Sequence, residues 1–386
     1  MGFDHGIHAG GSGPEGEEGL DDPSPALPDY DGACTCNLVR ALLEPSMPRP
    51  SWLPAAAVEA DQVVLVVLDG VGWHQLRRRA HLAPTLTSME GGPIRTVLPT
   101  TTATALTSIS TGAPPGEHGV VGYRIPIDGE VLNILRWTTR RGDARESIPP
   151  PKVQSLVSFL GHRPPAITRS EFERSGFTGA HLDGVRFRGW RMASTLVTEV
   201  VTLTGASEPF VYAYYDGVDK VSHEYGLGVH FDAELAAADR LIGDILSTVP
   251  RGTAVVVTAD HGQVHVAADV TPLAPEVAAH VDFQSGEARF RWLHAQPGQS
   301  VALLDAARSI HGDRAWVAPR DELIDEGWFG PTVTDAARER YGDVALVAKG
   351  TAAFTEPTDT GPYHLVGRHG SATPAELDVP LLVGVA

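Results

Sequence analysis

Cysteine is nearly missing from this 386-residue chain, lysine is confined to Lys152, Lys220 and Lys349, and no aliphatic run extends beyond residues 63–68. The two cysteines, Cys34 and Cys36, stand one residue apart, which leaves no disulfide framework and too few ligands for an ordinary zinc finger. They read as lone thiols of the core or surface. A membrane-spanning helix needs about 20 apolar residues, so none is expected. A basic start followed by an apolar stretch is also lacking; the expectation is a chain without a secretory signal, resident in the cytoplasm. Positive charge is scarce: 30 basic against 48 acidic side chains give −18, which argues against stable nucleic-acid binding and against an anionic membrane surface.

What is present is an apolar content of 42%, enough for a globular core. Residues 1–32, rich in Gly, Pro, Asp and Glu, are expected to form a disordered acidic leader. Residues 33–386 form the remaining domain, opening with a short helix over 37–43. Residues 63–68 are β-branched and continuous, as in a strand buried on both faces of a parallel sheet. Residues 210–215 and 253–258 share that texture. Between them, Leu235, Ala238, Leu241, Ile242, Ile245 and Leu246 recur at steps of three and four, an amphipathic helix over 233–249 with Asp232 as its N-cap. Strand, helix, strand is a crossover unit. Weaker strands are expected at 343–348 and 379–385. The stretches 123–200 and 264–340, rich in tryptophan, fit a sheet less well and are assigned to cap insertions. The fold class is α/β, with a mostly parallel central sheet, helices on both faces and a smaller inserted cap.

Each strong strand ends in acid. The first runs into Asp69-Gly70, the second into Asp216-Gly217-Val218-Asp219 with His223 four residues on, and the third into Asp260-His261-Gly262. Ligands of open parallel sheets bind at the carboxyl ends of strands. Carboxylates gathered there repel one another unless a cation sits among them. Oxygen and imidazole donors suit zinc, manganese or iron better than magnesium alone. Asp219 and His223, at i and i+4, share one face if that segment is helical. Pro99-Thr100-Thr101-Thr102, before 103–109, reads as a turn opening into a helix. Its hydroxyls fit equally well as a nucleophile at a helix N-terminus or as an ordinary N-cap.

Taken in order, Leu68-Asp69-Gly70, Pro99-Thr100-Thr101-Thr102, Thr111-Gly112, Glu117-His118-Gly119, Asp219 to Gly226, Thr258 to Gly262 and Gly367-Arg368-His369-Gly370 resemble the alkaline phosphatase superfamily, in its nucleotide pyrophosphatase/phosphodiesterase branch. The resemblance spans about 63–385. It implies two divalent metal ions, zinc before manganese or iron. Asp219, His223 and His369 would hold one. Asp69, Asp260, His261 and the Thr102 hydroxyl would hold the other. Thr102, ten residues before Gly112, is the implied nucleophile, with Thr100 and Thr101 as fallbacks. One departure is clear. Where the branch carries an aromatic, a proline and a phosphate-holding asparagine after the nucleophile, this chain has Ala103, Thr104 and Ala105. The phosphoryl group must then be held by Thr104, a backbone N–H or an arginine. Neither cysteine nor serine occupies the nucleophile position, which sets the sulfatase branch aside.

The implied activity is metal-dependent hydrolysis of a small phosphorylated substrate, a nucleotide being one option, through a phosphothreonine. A phosphomonoesterase or phosphonate hydrolase, a phosphate-transferring mutase and a non-catalytic binding module are the alternatives. Oligomeric state is not legible. Among other histidines, His118 reads as structural and His74 as a helix-surface residue, while for His265 and His364 a supporting or substitute ligand is only the alternative to a role outside the site. Arg77 to Arg79 and Arg186, Arg188 and Arg191 read as solvated faces, with a lining of the cap that meets an anionic substrate as the alternative for 186–191.

Overall fold

The computed structural model describes residues 24–44, 46, 48–356 and 365–386. Seven strands build the main sheet: β1 (Gln62–Leu68), β2 (Glu90–Arg95), β3 (Pro165–Arg169), β4 (Arg186–Trp190), β5 (Phe210–Tyr215), β6 (Thr253–Thr258) and β7 (Asp378–Val385). Their order is β2-β7-β6-β1-β5-β3-β4. From β6 through β4 all neighbours run parallel, while β7 is antiparallel to both β6 and β2. The valines and leucines of β1 and all of β5 and β6 are buried, because helices cover both faces. Each fully buried aliphatic side chain there contributes roughly 1.5–3 kcal/mol.

Four helices matter for the site or its support: α1 (Thr102–Thr111), α2 (Ala193–Gly205), α3 (Gly217–Tyr225) and α4 (Val229–Thr248). The expected amphipathic helix is α4, and its apolar stripe is buried as its period requires. It begins four residues earlier than its stripe indicated. Gly228 occupies the N-cap position, and Asp232 lies within the first turn, where it pairs with Arg79. No helix among the described residues is long and apolar enough to cross a membrane.

The cap boundaries need correction. Residues 165–169 and 186–190, placed by sequence in the cap insertion 123–200, are strands of the main sheet. Both are short, and β4 is an edge strand exposed along most of its length, so neither carries the continuous apolar texture of β1. What stands above the sheet is a four-stranded antiparallel meander over Arg124–Ile127, Glu130–Asn133, Thr138–Thr139 and Gly142–Asp143. The second insertion builds another four-stranded antiparallel sheet, in the order Val281–Gly286, Phe290–Ala295, Val344–Ala348, Ala315–Pro319. The strand expected at 343–348 therefore exists but belongs to this second sheet, and the insertion extends past 340. Burial on both faces gives it the texture of a main-sheet strand.

The leader also ends earlier than its composition indicated. Residues 1–23 and His364 lie outside the described residues. Residues 24–32 pack on the domain: Ala26 N donates to Ala372 O at 2.8 Å and the Tyr30 hydroxyl to Trp328 O at 2.7 Å. Leu27 and Ala33 supply the apolar contacts that offset the ordering of this segment. Cys34 and Cys36 are buried free thiols.

Trp137 anchors the meander. Its indole is buried, donates Nε1–H to Ile148 O at 2.8 Å, and lies against Gly176. A Cβ at Gly176 would fall 2.1 Å from Trp137 Cγ. Gly176→Ala is therefore expected to lower stability by about 1–3 kcal/mol or more through overpacking. Thermal unfolding of the variant measures it; an unchanged Tm contradicts the anchoring role.

Candidate active site

The sheet order sets the site. β6, β1 and β5 are adjacent, and neighbouring parallel strands lie about 4.8 Å apart, so their carboxyl ends bring Asp260, Asp69 and the start of α3 together. Asp69 follows β1 in a tight turn at Gly70, where φ is +76°. A Cβ there would lie 3.0 Å from Asp219 Cα, so the close approach of the two segments requires glycine. Asp219 and His223 project from one face of α3, as their spacing predicts.

Two donor groups result. In the first, His223 Nε2 lies 3.3 Å from Asp219 Oδ1 and 3.3 Å from His369 Nε2, and His369 Nε2 lies 3.8 Å from Asp219 Oδ1. In the second, His261 Nε2 is 3.4 Å from Asp69 Oδ1, 3.4 Å from Asp260 Oδ2 and 3.1 Å from Thr102 Oγ1. The groups adjoin: Asp219 also comes within 4.8 Å of Asp69 and His261, and the rings of His261 and His369 stack at 3.5 Å. All seven residues expected to form the site are thus brought together.

The protein's own hydrogen bonds leave these donors pointing at one another. Asp260 Oδ1 accepts from Gly70 N and His261 N, and Asp69 Oδ2 accepts from the Tyr214 hydroxyl. The opposite oxygens, Asp260 Oδ2 and Asp69 Oδ1, are buried without a hydrogen-bond partner. Three histidines repeat one pattern. Nδ1–H of His223, His261 and His369 donates to the carbonyl of Gly367, Gly262 and Thr100 at 2.8, 3.0 and 2.8 Å. Every Nε2 lone pair is left facing the cluster, as in imidazoles prepared to ligate a metal.

Electrostatics agree. Burial, then the charges of Asp219 and Asp260, pushes the Asp69 carboxyl well above its ordinary range. Burial likewise raises Asp219 and Asp260, and burial, then His261 and His223, holds His369 well below the ordinary imidazole value. Without a cation, three buried carboxylates in this arrangement disfavour their own ionised, metal-binding form, while the lowered His261 and His369 stay neutral, as ligands must. The donor spacing fits one: four ligands at about 2.0–2.1 Å around a tetrahedral ion stand roughly 3.3 Å apart, close to the 3.1–3.4 Å separations from His261 Nε2.

Of the three adjacent threonines, Thr102 alone has a hydroxyl within hydrogen-bonding distance of a donor group. Thr100 Oγ1 is committed, donating to Ser371 O at 2.8 Å and accepting from Gly370 N at 3.0 Å. Thr101 is the N-cap of α1 in position, but its side chain makes no cap hydrogen bond, so the first-turn N–H groups face the site uncapped. Thr104, considered as a phosphate holder, is wholly buried with a hydroxyl that has no partner, and it does not line the cavity.

Thr102, Asp219, His223 and His369 form the floor of a cavity of about 1020 Å³. Its walls come from the meander and from Val281–Gly286, with Tyr123 and Phe283 as aromatic surfaces and Arg124, Arg136, Arg140 and Arg368 as cations. The arginines of 186–191 do not reach it. They belong to the outer edge strand β4 and the turn after it, and Arg186 is held bidentately by Glu208 at 2.6 Å. His74 pairs with Asp378 at 3.0 Å, and His265 Nδ1 accepts from Leu227 N at 3.3 Å, behind α3.

Tyr214 and Gln263 were not foreseen. The Tyr214 hydroxyl donates to Asp69, and the Gln263 amide donates to Asp219. A hint existed: a tyrosine inside a fully buried strand needs a partner for its hydroxyl, and a strand-end carboxylate is a ready one.

Residues 63–372 match the type I phosphodiesterase/nucleotide pyrophosphatase family, and the chain belongs to it. Among solved structures, murine ectonucleotide pyrophosphatase/phosphodiesterase 5 is 14% identical with a TM-score of 0.61, covering 83% of this chain and 87% of that one. An inactive variant of that murine protein, solved in complex with AMP, gives a TM-score of 0.62 at 14% identity, again over 83% and 87% of the two chains. Phosphonoacetate hydrolase from Sinorhizobium meliloti, with phosphonoformate, is 17% identical with a TM-score of 0.58, covering 84% and 90%. At such identities these structures show a shared fold. No curated protein matches the sequence significantly.

Two outcomes follow from the site. Zinc or manganese added to chelator-treated protein should raise the Tm, with about 2.7 kcal/mol of stabilisation at a hundredfold excess over Kd; a metal-independent Tm contradicts the donor assignment. His118, by contrast, is structural. Its Nδ1 accepts from Val120 N at 3.0 Å, so Nε2–H donates to Ser108 Oγ at 2.8 Å, and burial lowers its pKa to about 3. The folded state therefore resists protonation that the unfolded chain accepts near pH 6.5. Its contribution is full above that pH and is lost toward pH 3, by about 1.4 kcal/mol per unit. Urea unfolding of metal-free His118→Gln between pH 7 and 4.5 should show a shallower acid slope than wild type; equal slopes contradict the assignment.

Proposed function

We propose that this phosphodiesterase-family hydrolase cleaves phosphodiester or pyrophosphate bonds with Thr102 as nucleophile, supported by two divalent ions, through a phosphothreonine. The observation that carries the reading is the Thr102 hydroxyl at the N-terminus of α1, 3.1 Å from His261 Nε2 and open to the large cavity. Asp219, His223 and His369 would hold one ion; Asp69, Asp260, His261 and Thr102 would hold the other. Bound divalent ions supply Lewis acidity, lowering the hydroxyl pKa and neutralising charge on the phosphoryl oxygens.

The chain's own groups do the rest. Thr102 Oγ1 gives its proton to solvent and attacks phosphorus in line, forming an Oγ1–P bond as the bond to the leaving oxygen breaks. The uncapped N–H groups of α1 and the positive end of its dipole favour the phosphoryl oxygens. Water then cleaves the Oγ1–P bond, restoring the hydroxyl and releasing the phosphorylated product. The cavity extends well beyond the floor, which gives a diester room for substituents on both sides of phosphorus.

Thr102→Ala should retain metal and fold while kcat falls by about 10³ or more, the scale of losing a nucleophile. On a panel of bis(4-nitrophenyl) phosphate, 4-nitrophenyl phosphate and phosphonoacetate, the diester should be turned over fastest. Acid quench during turnover of the diester should leave a 4-nitrophenyl phosphoryl group on the peptide containing Thr102, with one nitrophenolate released. Preferred turnover of the monoester or phosphonate would move the assignment to that chemistry, and full activity in Thr102→Ala would remove the nucleophile.

A further inference from the structure

A buried ion pair joins the second sheet to the loop that carries His369. Arg289 stands between the strands Val281–Gly286 and Phe290–Ala295, Glu376 lies in the short helix Pro374–Leu377 before β7, and both are fully shielded from solvent. Arg289 Nε and Nη2 donate to Glu376 Oε1 and Oε2 at 2.7 and 2.8 Å, and Nη1 donates to Ala352 O at 2.6 Å. The carboxylate binds further groups. Oε1 also accepts from Ser371 N at 3.0 Å, and Oε2 from Thr373 Oγ1 at 2.5 Å. The Glu376 carbonyl accepts from Gly262 N at 2.8 Å, next to His261.

From Ser371 the connections run directly into the site. Thr100 Oγ1 donates to Ser371 O at 2.8 Å and accepts from Gly370 N at 3.0 Å, while His369 Nδ1–H donates to Thr100 O at 2.8 Å. One carboxylate thus fixes the backbone that orients His369 and, through Thr100, the turn that presents Thr102. Stability alone does not account for such a pair. Replacing a buried ion pair by apolar groups of similar size is often neutral or stabilising, because both charges must be desolvated.

We infer that Arg289 and Glu376 are positioning residues, holding loop 369–373 so that His369 Nε2 faces His223 and Asp219. The functional meaning rests on the two-metal reading proposed above, but metal binding examines it separately from catalysis. Outer groups that orient metal ligands typically change affinity by about 10–100-fold when removed.

The experiment is a Co²⁺ titration of metal-stripped full-length protein, followed by visible absorption, together with thermal unfolding. Arg289→Met with Glu376→Leu removes both charges at once, so neither is left as an unpaired buried ion, while Ser371 N, Thr373 Oγ1 and Ala352 O lose a partner. This double variant should fold with a Tm lowered by the three lost hydrogen bonds, bind one cobalt ion as wild type does, and bind the other about 10–100-fold more weakly. Glu376→Gln, which keeps an acceptor for Ser371 N, should fall between. A double variant whose cobalt isotherm superimposes on that of wild type overturns the positioning role, whatever happens to its Tm. Should the double variant fail to fold, Glu376→Gln decides, and unaltered cobalt affinity there overturns it too. Wild-type protein binding fewer than two cobalt ions would refute the two-metal reading itself, and this inference with it.

Discussion

Three carboxylates that would repel one another in an empty interior are the constraint around which this molecule is arranged. Asp69, Asp219 and Asp260 are buried at the ends of adjacent strands or one turn beyond, where the low dielectric strengthens their mutual repulsion. The fold limits that cost without removing it. Tyr214, Gly70, His261 and Gln263 each donate to one of the carboxylates. One oxygen of Asp69 and one of Asp260 nevertheless remain unsatisfied, both aimed at the same imidazole nitrogen. Buried polar atoms left this way are expensive, and a native chain keeps them where a ligand completes them.

The same constraint explains why the supporting residues come from so many segments. A ligand set must be rigid before its ligand arrives, or ordering it would consume the binding energy. Each histidine is therefore fixed by a backbone carbonyl rather than by a mobile side chain. Two of those carbonyls lie in segments whose residues are themselves bonded, Gly262 N to Glu376 O and Gly370 N to Thr100 Oγ1, and the third, Gly367, lies in a short strand paired with Val264–His265. The antiparallel strand β7 contributes by returning the chain to the sheet directly after the loop of His369 and the helix of Glu376.

What could be read from sequence follows the same physics. β1, β5 and β6 were legible because strands buried on both faces must be apolar throughout, and the acids at their ends were legible because charge interrupts that run abruptly. β3 and β4 were not: β3 is only five residues long, and β4, at the edge with exposed arginines, has the composition of a loop. Membership of the strand Val344–Ala348 was equally hidden: burial writes the same residues into either sheet. Metal-ligand candidates stood out by type and position, whereas their supports did not. Tyr214 meets Asp69 across 145 positions and Arg289 meets Glu376 across 87, and no local pattern marks either pairing.

The residues after Thr102 carry the last consequence. Ala103 and Ala105 are wholly buried in the packing of α1, and Cys34 and Cys36 close against Ala105. A large ring at these positions would have to displace core contacts, at a cost typical of overpacking. If Thr102 is the nucleophile proposed above, its helix offers the substrate little beyond the hydroxyl and its N–H groups. On that reading, recognition beyond the phosphoryl group would fall to the cavity walls, where Tyr123, Phe283 and the arginines of the meander stand. On the proposed reading, chemistry and selectivity would reside on separate parts of the chain: strand ends, α1, α3 and the loop of His369 gather the candidate ligands, and the two insertions of antiparallel structure wall the cavity above them.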